Sequence, residues 1–307
     1  ISFRSCGPVE ADFDTRKIWE AVRIGFPITI VWWSLSFSSS LDRLISGSML
    51  GKAATGHYAL ALNIVFSIIL LPQAINRVFY PKINEGLGKN VAPKALAEFV
   101  LIPIKVMSLI IPVLIAAVML VLPVAYDLIF RDYLPGIDSA RILLIGLFFS
   151  SIIGNGVNYL VAKGKQTVLF YYVVVASAVN AIGAIALVKT GLGIEGIAFS
   201  TSFAGAVLCT LIWLAVMREM NYTPSEQIGS LVSFFSPLFI FGGPLVAIMA
   251  AVRTEHAAFV PPHPMLAMTL AVSLLIYFLV ILTLPPYKGW VREIVGFVNG
   301  GNKLASF

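Results

Sequence analysis

The sequence predicts an all-α polytopic membrane protein, and three observations carry that prediction. Hydrophobic residues make up 59% of the 307 residues and charged residues 12%, with a mean hydropathy of +0.92. A soluble domain of this length needs far more charge on its surface, so lipid must be the main solvent. Stretches of roughly 20 mostly apolar residues, the length that crosses the hydrocarbon core as a helix, recur at 24–42, 58–77, 99–123, 139–160, 167–188, 194–217, 229–252 and 265–284. None alternates with period two, and all are too long for barrel strands of about ten residues. About eight transmembrane helices follow; the 24 Gly and 17 Pro fit, because spanning helices tolerate both.

Residues 1–17 are polar, and 1–23 are expected to form a cytoplasmic linker and leading helix. Asp14 is placed to cap that helix, with Ile18 and Trp19 at the interface. The chain opens on Ile1, not Met, and shows no signal peptide, so an N-terminal portion is expected to precede it. The organising stretch is 24–81: an apolar segment closing on Asp42-Arg43, a Gly-rich connection from Gly47 to Ala59, and a second apolar segment ending in Tyr80-Pro81. Further spans pack around that hairpin. Residues 24–217 hold six spans, 218–284 two more, and 285–307 an interfacial tail in which Trp290, Val291, Ile294, Phe297 and Val298 share one face.

Orientation follows from the basic residues. With the N-terminus in the cytoplasm, fifteen of the 21 Lys and Arg fall on the inner side, including Lys89, Lys163, Lys165 and Arg218. Such a bias places both termini of the chain on the cytoplasmic face of the cell membrane. The net charge of +6 is thereby explained without a nucleic-acid partner.

Several spans carry polar residues at helical spacing. Ser34, Ser38 and Asp42 lie within about 80° of one another on span one, and Asn63, Ser67, Gln73 and Arg77 within about 120° on span two. Span four aligns Gly146, Ser150, Gly154 and Asn158, with Asn155 beside them, and span five adds Asn180. Such stripes line a shared aqueous cavity or pack membrane helices closely through small and hydrogen-bonding residues. Asp42, Arg43 and Arg77 fall near predicted helix ends, where long basic side chains reach the headgroups.

No enzyme signature emerges. His57, His256 and His263 sit in predicted outer connections without metal-ligand or triad spacing, and Cys6 and Cys209 supply neither a disulfide nor a metal pattern. Gly191-Leu192-Gly193-Ile194-Glu195-Gly196 resembles a phosphate loop only loosely and follows an apolar span, not a Rossmann strand. No cofactor or metal is expected.

Asp42-Arg43, the stretch from Gly51 to Ala61 and the Leu71-Pro72 to Tyr80-Pro81 ending resemble the start of the C-terminal half of polysaccharide-biosynthesis membrane proteins. These are the O-antigen-type lipid-linked oligosaccharide flippases of the multidrug/oligosaccharidyl-lipid/polysaccharide exporter (MOP) superfamily. Asn158 to Lys165, and Asn180 followed by Gly191 to Thr201, extend the resemblance over about residues 12–217. It implies a MATE-like transporter of two six-helix lobes around a cavity that opens alternately to either side. Residues 24–217 would be the second lobe and 218–284 an added pair, the first lobe lying in another part of the gene product or in a partner chain. It also implies an undecaprenyl-diphosphate-linked glycan for lipopolysaccharide or another cell-envelope polymer as cargo, attracted by cavity cations. Arg43 beside Asp42 is the position that matches; Asn63, Arg77, Asn155, Asn158 and Asn180 are candidates from the stripes.

A MATE-type drug or cation antiporter on the same fold would favour acidic residues deep in the lobe. A glycan polymerase or ligase would need a large outer loop, which the sequence lacks, and a scaffold subunit without transport is a further alternative. Residues 231–252 and 265–284 contain no charge, and Gly242-Gly243-Pro244 interrupts the former. A kink there is expected to open a groove for a polyprenyl tail, with a plain membrane anchor as the other reading.

Overall fold

In the computed structural model, the described residues are 15–89, 93–255, 275, 277, 279, 281 and 283–299. Among them every regular element is helical: α1 (Thr15–Met49), α2 (Gly51–Gly88), α3 (Pro93–Leu128), a 3-10 turn (Arg131–Gly136), α4 (Ile137–Ala162), α5 (Gln166–Leu187), a π turn (Val188–Leu192), α6 (Gly193–Glu219), α7 (Pro224–Glu255) and α8 (Pro285–Asn299). Four stretches are long and apolar enough to cross a membrane: Gly51–Gly86, Phe99–Leu128, Arg131–Ala162 and Gln166–Glu219. The last doubles back at the π turn into α5 and α6.

One sequence expectation is corrected at the first hairpin. The Gly-rich connection is not a loop, because α1 runs to Met49 and α2 starts at Gly51, leaving Leu50 as the turn. Of its glycines only Gly51 needs a positive φ (86°), so the chain reverses there and nowhere else. Thr55 closes the hairpin by donating to Ser46 Oγ at 3.1 Å. Helix α1 runs without interruption from Thr15 through the first span. Residues 1–14, including Asp14, lie outside the described residues.

Helix α4 is the central post, packed against α2, α3 and α6. Its glycines permit the closeness. A Cβ on Gly146 would come within 2.5 Å of Ser202 Oγ on α6, one on Gly156 within 2.6 Å of Ile212, and one on Gly154 would overlap the Asn76 amide of α2. The stripe through Gly146 and Gly154, open to a cavity or packing reading from spacing alone, therefore meets neighbouring helices. Beside it, fully buried Trp213 donates its indole N–H to the Ile152 carbonyl at 3.1 Å.

Helix ends follow local chemistry. Asn221 takes φ 61° after α6, a conformation that suits Asn next after Gly. Thr223 then opens α7 with a capping box, its backbone N–H donating to Glu226 Oε2 at 2.8 Å and Glu226 N–H to Thr223 Oγ1 at 3.4 Å. The Thr223 hydroxyl and N–H hold the Glu226 carboxyl below its ordinary range.

The tail helix departs from a simple surface helix. Tyr287 and Trp290 of α8 are buried, Trp290 against Phe234 and Tyr287 bonded to Ser236 at 2.6 Å, and Glu293 pairs with Lys105 of α3. Protein, not lipid, covers those aromatic rings. Helix α7 runs through Gly242, Gly243 and Pro244, whose surroundings, like most of 265–284, lie outside the described residues.

Candidate functional site: a buried carboxylate shared by four helices

Asp42 sits on α1, two turns before its end, and is 1% exposed. Its carboxylate points into the bundle and accepts from three other helices. Asn180 Nδ2 of α5 donates to Oδ1 at 2.7 Å, while the hydroxyls of Tyr58 on α2 and Thr201 on α6 donate to Oδ2 at 3.0 and 2.9 Å. Arg43, its sequence neighbour, is exposed on a different face of α1. Asp42 thus stands near the end of α1, and of the two readings that its spacing leaves open, cavity lining or close packing, its own surroundings are packed. One residue places it inward, because the register of α1 turns position 42 toward α5 and α6. The Ser34 and Ser38 side chains lie outside the described residues.

The surroundings hold this arrangement. Ser200 Oγ donates to the Asn180 carbonyl at 2.8 Å, and Gly183 makes that approach possible, since a Cβ there would meet Ser200 Oγ at 2.5 Å. The turn that delivers Thr201 depends on Gly191 and Gly193, with φ of 92° and 57°. The glycines that looked like a weak phosphate loop thus serve a chain reversal.

Thr201 has one hydroxyl proton, yet Asp42 Oδ2 at 2.9 Å, the Ile197 carbonyl at 2.9 Å and Asn180 Oδ1 at 3.4 Å all lie in reach of it. The Tyr58 hydroxyl is 3.3 Å from Thr201 Oγ1 as well, so the two hydroxyl protons have alternative acceptors. Oxygen groups of this kind would suit a hard cation or a proton, not a soft metal. Among the described residues no group of three or more His, Cys, Asp and Glu could hold a metal ion.

The other sequence candidates scatter. Asn63 and Arg77 are exposed along α2. Asn155 is 2% exposed between helices, its Oδ1 without a hydrogen-bond partner, and Asn158 is half-buried. Asn155 is therefore a packed residue in this conformation, and only Asp42 and Asn180 meet. Spacing missed Tyr58 and Thr201, which lie on no charged stripe. The signal available was that each falls inside a quoted motif, one after Gly51 and one closing the Gly191 to Thr201 stretch.

No known protein family matches the sequence, and no curated protein does. A solved structure does match: the outward-facing conformation of a multidrug resistance MATE family transporter of the MOP superfamily. The two share a TM-score of 0.55 at 19% identity, over 89% of this chain and 64% of that one. The chain thus has the all-α, multi-pass fold of a MATE-type transporter and spans less than two thirds of that relative's length.

Proposed function

We propose that residues 24–217 are one lobe of an alternating-access transporter in the cytoplasmic membrane. In it the Asp42 cluster binds a monovalent cation or a proton and couples that event to helix packing. The observation that carries this reading is the carboxylate itself, 1% exposed and held from α2, α5 and α6. Charge in a low-dielectric interior is costly unless paired. Whatever neutralises Asp42 therefore changes the interactions of four helices at once, which is what switching between two packings requires.

For cargo we propose a lipid-linked saccharide carrying a diphosphate, moved from the inner to the outer face. The exposed α2 face offers Asn63, Ser67, Gln73 and Arg77, and Arg43 is exposed near the end of α1. A guanidinium in a cavity poorly screened by water attracts phosphate far more strongly than in bulk. A second reading is export of organic cations, favoured by the buried acid and by the likeness to a multidrug resistance transporter. The discriminating experiment reconstitutes the complete transporter in vesicles and supplies each cargo under an imposed sodium or proton gradient. Gradient-dependent movement of the polyprenyl-diphosphate saccharide supports the first reading; movement of the organic cation alone supports the second.

A further inference from the structure

Helix α8 presents three faces, and among the described residues protein meets two of them. Tyr287 and Trp290 are buried against α7, whose Phe234 in turn meets Trp213 of α6. On a second face Glu293 pairs with Lys105 of α3. The third face carries Leu284, Lys288, Arg292 and Val295, which at 100° per residue fall within about 80° of one another. Leu284 belongs to it because its carbonyl accepts the Lys288 N–H at 3.1 Å, which continues the helical register across Pro285 and Pro286. All four side chains are exposed, Leu284 by 41% and Val295 by 49%.

The chemistry of that third face selects its partner. Lys288 and Arg292 stand one turn apart, with about 6 Å between their Cβ atoms, and the face holds no acid. Glu293, the acid beside Arg292, turns about 100° away and is engaged by Lys105. Two cations over two apolar side chains complement a surface with negative charge above and hydrocarbon below. The level of α8 in the bundle supplies such a surface. Trp213 lies one to two turns before Glu219, and Glu219 pairs with Lys165 at 3.1 Å where α6 ends. Charged residues at the end of a spanning helix mark the polar boundary of the bilayer, where the anions are lipid headgroups. A zwitterionic headgroup offsets its phosphate with an ammonium, so a face with cations and no acid favours an anionic lipid.

We propose that this face of α8 lies on anionic phospholipid, with Lys288 and Arg292 against the phosphates of phosphatidylglycerol and with Leu284 and Val295 among its acyl chains. Helix α8 is then a strap held by α3 and α7 on one side and by the leaflet on the other. The inference rests on the chain crossing a bilayer and not on its cargo or coupling. The test puts a fluorophore on a cysteine at Val295, with Cys6 and Cys209 replaced by Ser, in the full chain in phosphatidylcholine nanodiscs. Spin-labelled phosphatidylglycerol or spin-labelled phosphatidylcholine is added in equal amount as quencher. Quenching by phosphatidylglycerol should be at least about fivefold stronger, and the preference should shrink in about 0.5 M salt. Lys288→Gln with Arg292→Gln, both on the surface and tolerant of folding, should make the two lipids quench alike. Lys288→Arg with Arg292→Lys should keep the preference. Equal quenching in the parent chain, a preference that survives the double Gln change, or a label reached by neither lipid because a second copy of the chain covers it would overturn the proposal.

Discussion

Tyr58 and Asn63 stand five residues apart on α2, yet one hydroxyl ends in a buried four-helix cluster while the other side chain is exposed. The same helix thus carries an inward polar contact that ties elements together and an outward polar face, with Arg77, that ties nothing among the described residues. The difference teaches that a polar group in a membrane helix takes its role from the partner its register gives it, not from its spacing to other polar groups. Asp42 and Asn180, 138 residues apart, meet; Asn155 and Asn158, one turn apart, do not share an environment.

The largest expected effect comes from forcing apart the helices that frame the inward cluster. Gly146→Leu should destabilise the fold by about 3 kcal/mol, because Ser202 Cα on the neighbouring helix obstructs it, and Gly154→Leu by about 1–2 kcal/mol, because there the Asn76 side chain can shift. Thermal unfolding in detergent would show it, and a variant of unchanged stability would mean that α4 is not the packed post described. Next, Thr201→Val keeps the shape but removes one donor from the buried carboxylate, at a cost of about 1.5–3 kcal/mol. Asn63→Ala on the outward face should change stability by less than about 0.5 kcal/mol. Arg77→Ala should leave stability alone and weaken cargo binding about tenfold, measured by titration with the diphosphate-linked saccharide.

Accessibility sharpens the same contrast. With Cys6 and Cys209 replaced by Ser, a cysteine at Asn63 should react with a soluble thiol reagent while cysteines at Asn155 and Asn180 resist. Reaction at Asn155 would revive its place in a wet cavity. The smallest effect lies at the start of α7. Glu226 is held below its usual range, so its cap contributes fully above about pH 4.5 and is lost as pH falls further. Amide exchange at Gln227 should quicken there relative to the rest of α7, and Glu226→Gln should abolish that difference.

How much was legible in the sequence follows from the range of each interaction. Span positions were readable because burial in lipid imposes a length on every helix, and α2 to α6 contain the stretches expected. Helix ends were less so: Gly47 to Ala59 reads as a loop by composition, yet only Gly51 breaks the helix. Two members of the cluster, Asp42 and Asn180, stood out as polar residues in apolar runs. Tyr58 and Thr201 did not, because a hydroxyl satisfied by a distant helix looks identical in sequence to one bonded to its own backbone, as Ser151 is.

The most direct test of the account is gradient dependence in Asp42→Asn, an isosteric change that keeps hydrogen bonding but removes the charge. Reconstituted as the complete transporter, this variant should insert and fold normally while its cargo movement falls at least about a hundredfold and stops responding to an imposed sodium or proton gradient. Cargo movement that keeps both its rate and its response to the gradient would contradict the assignment of coupling to this carboxylate.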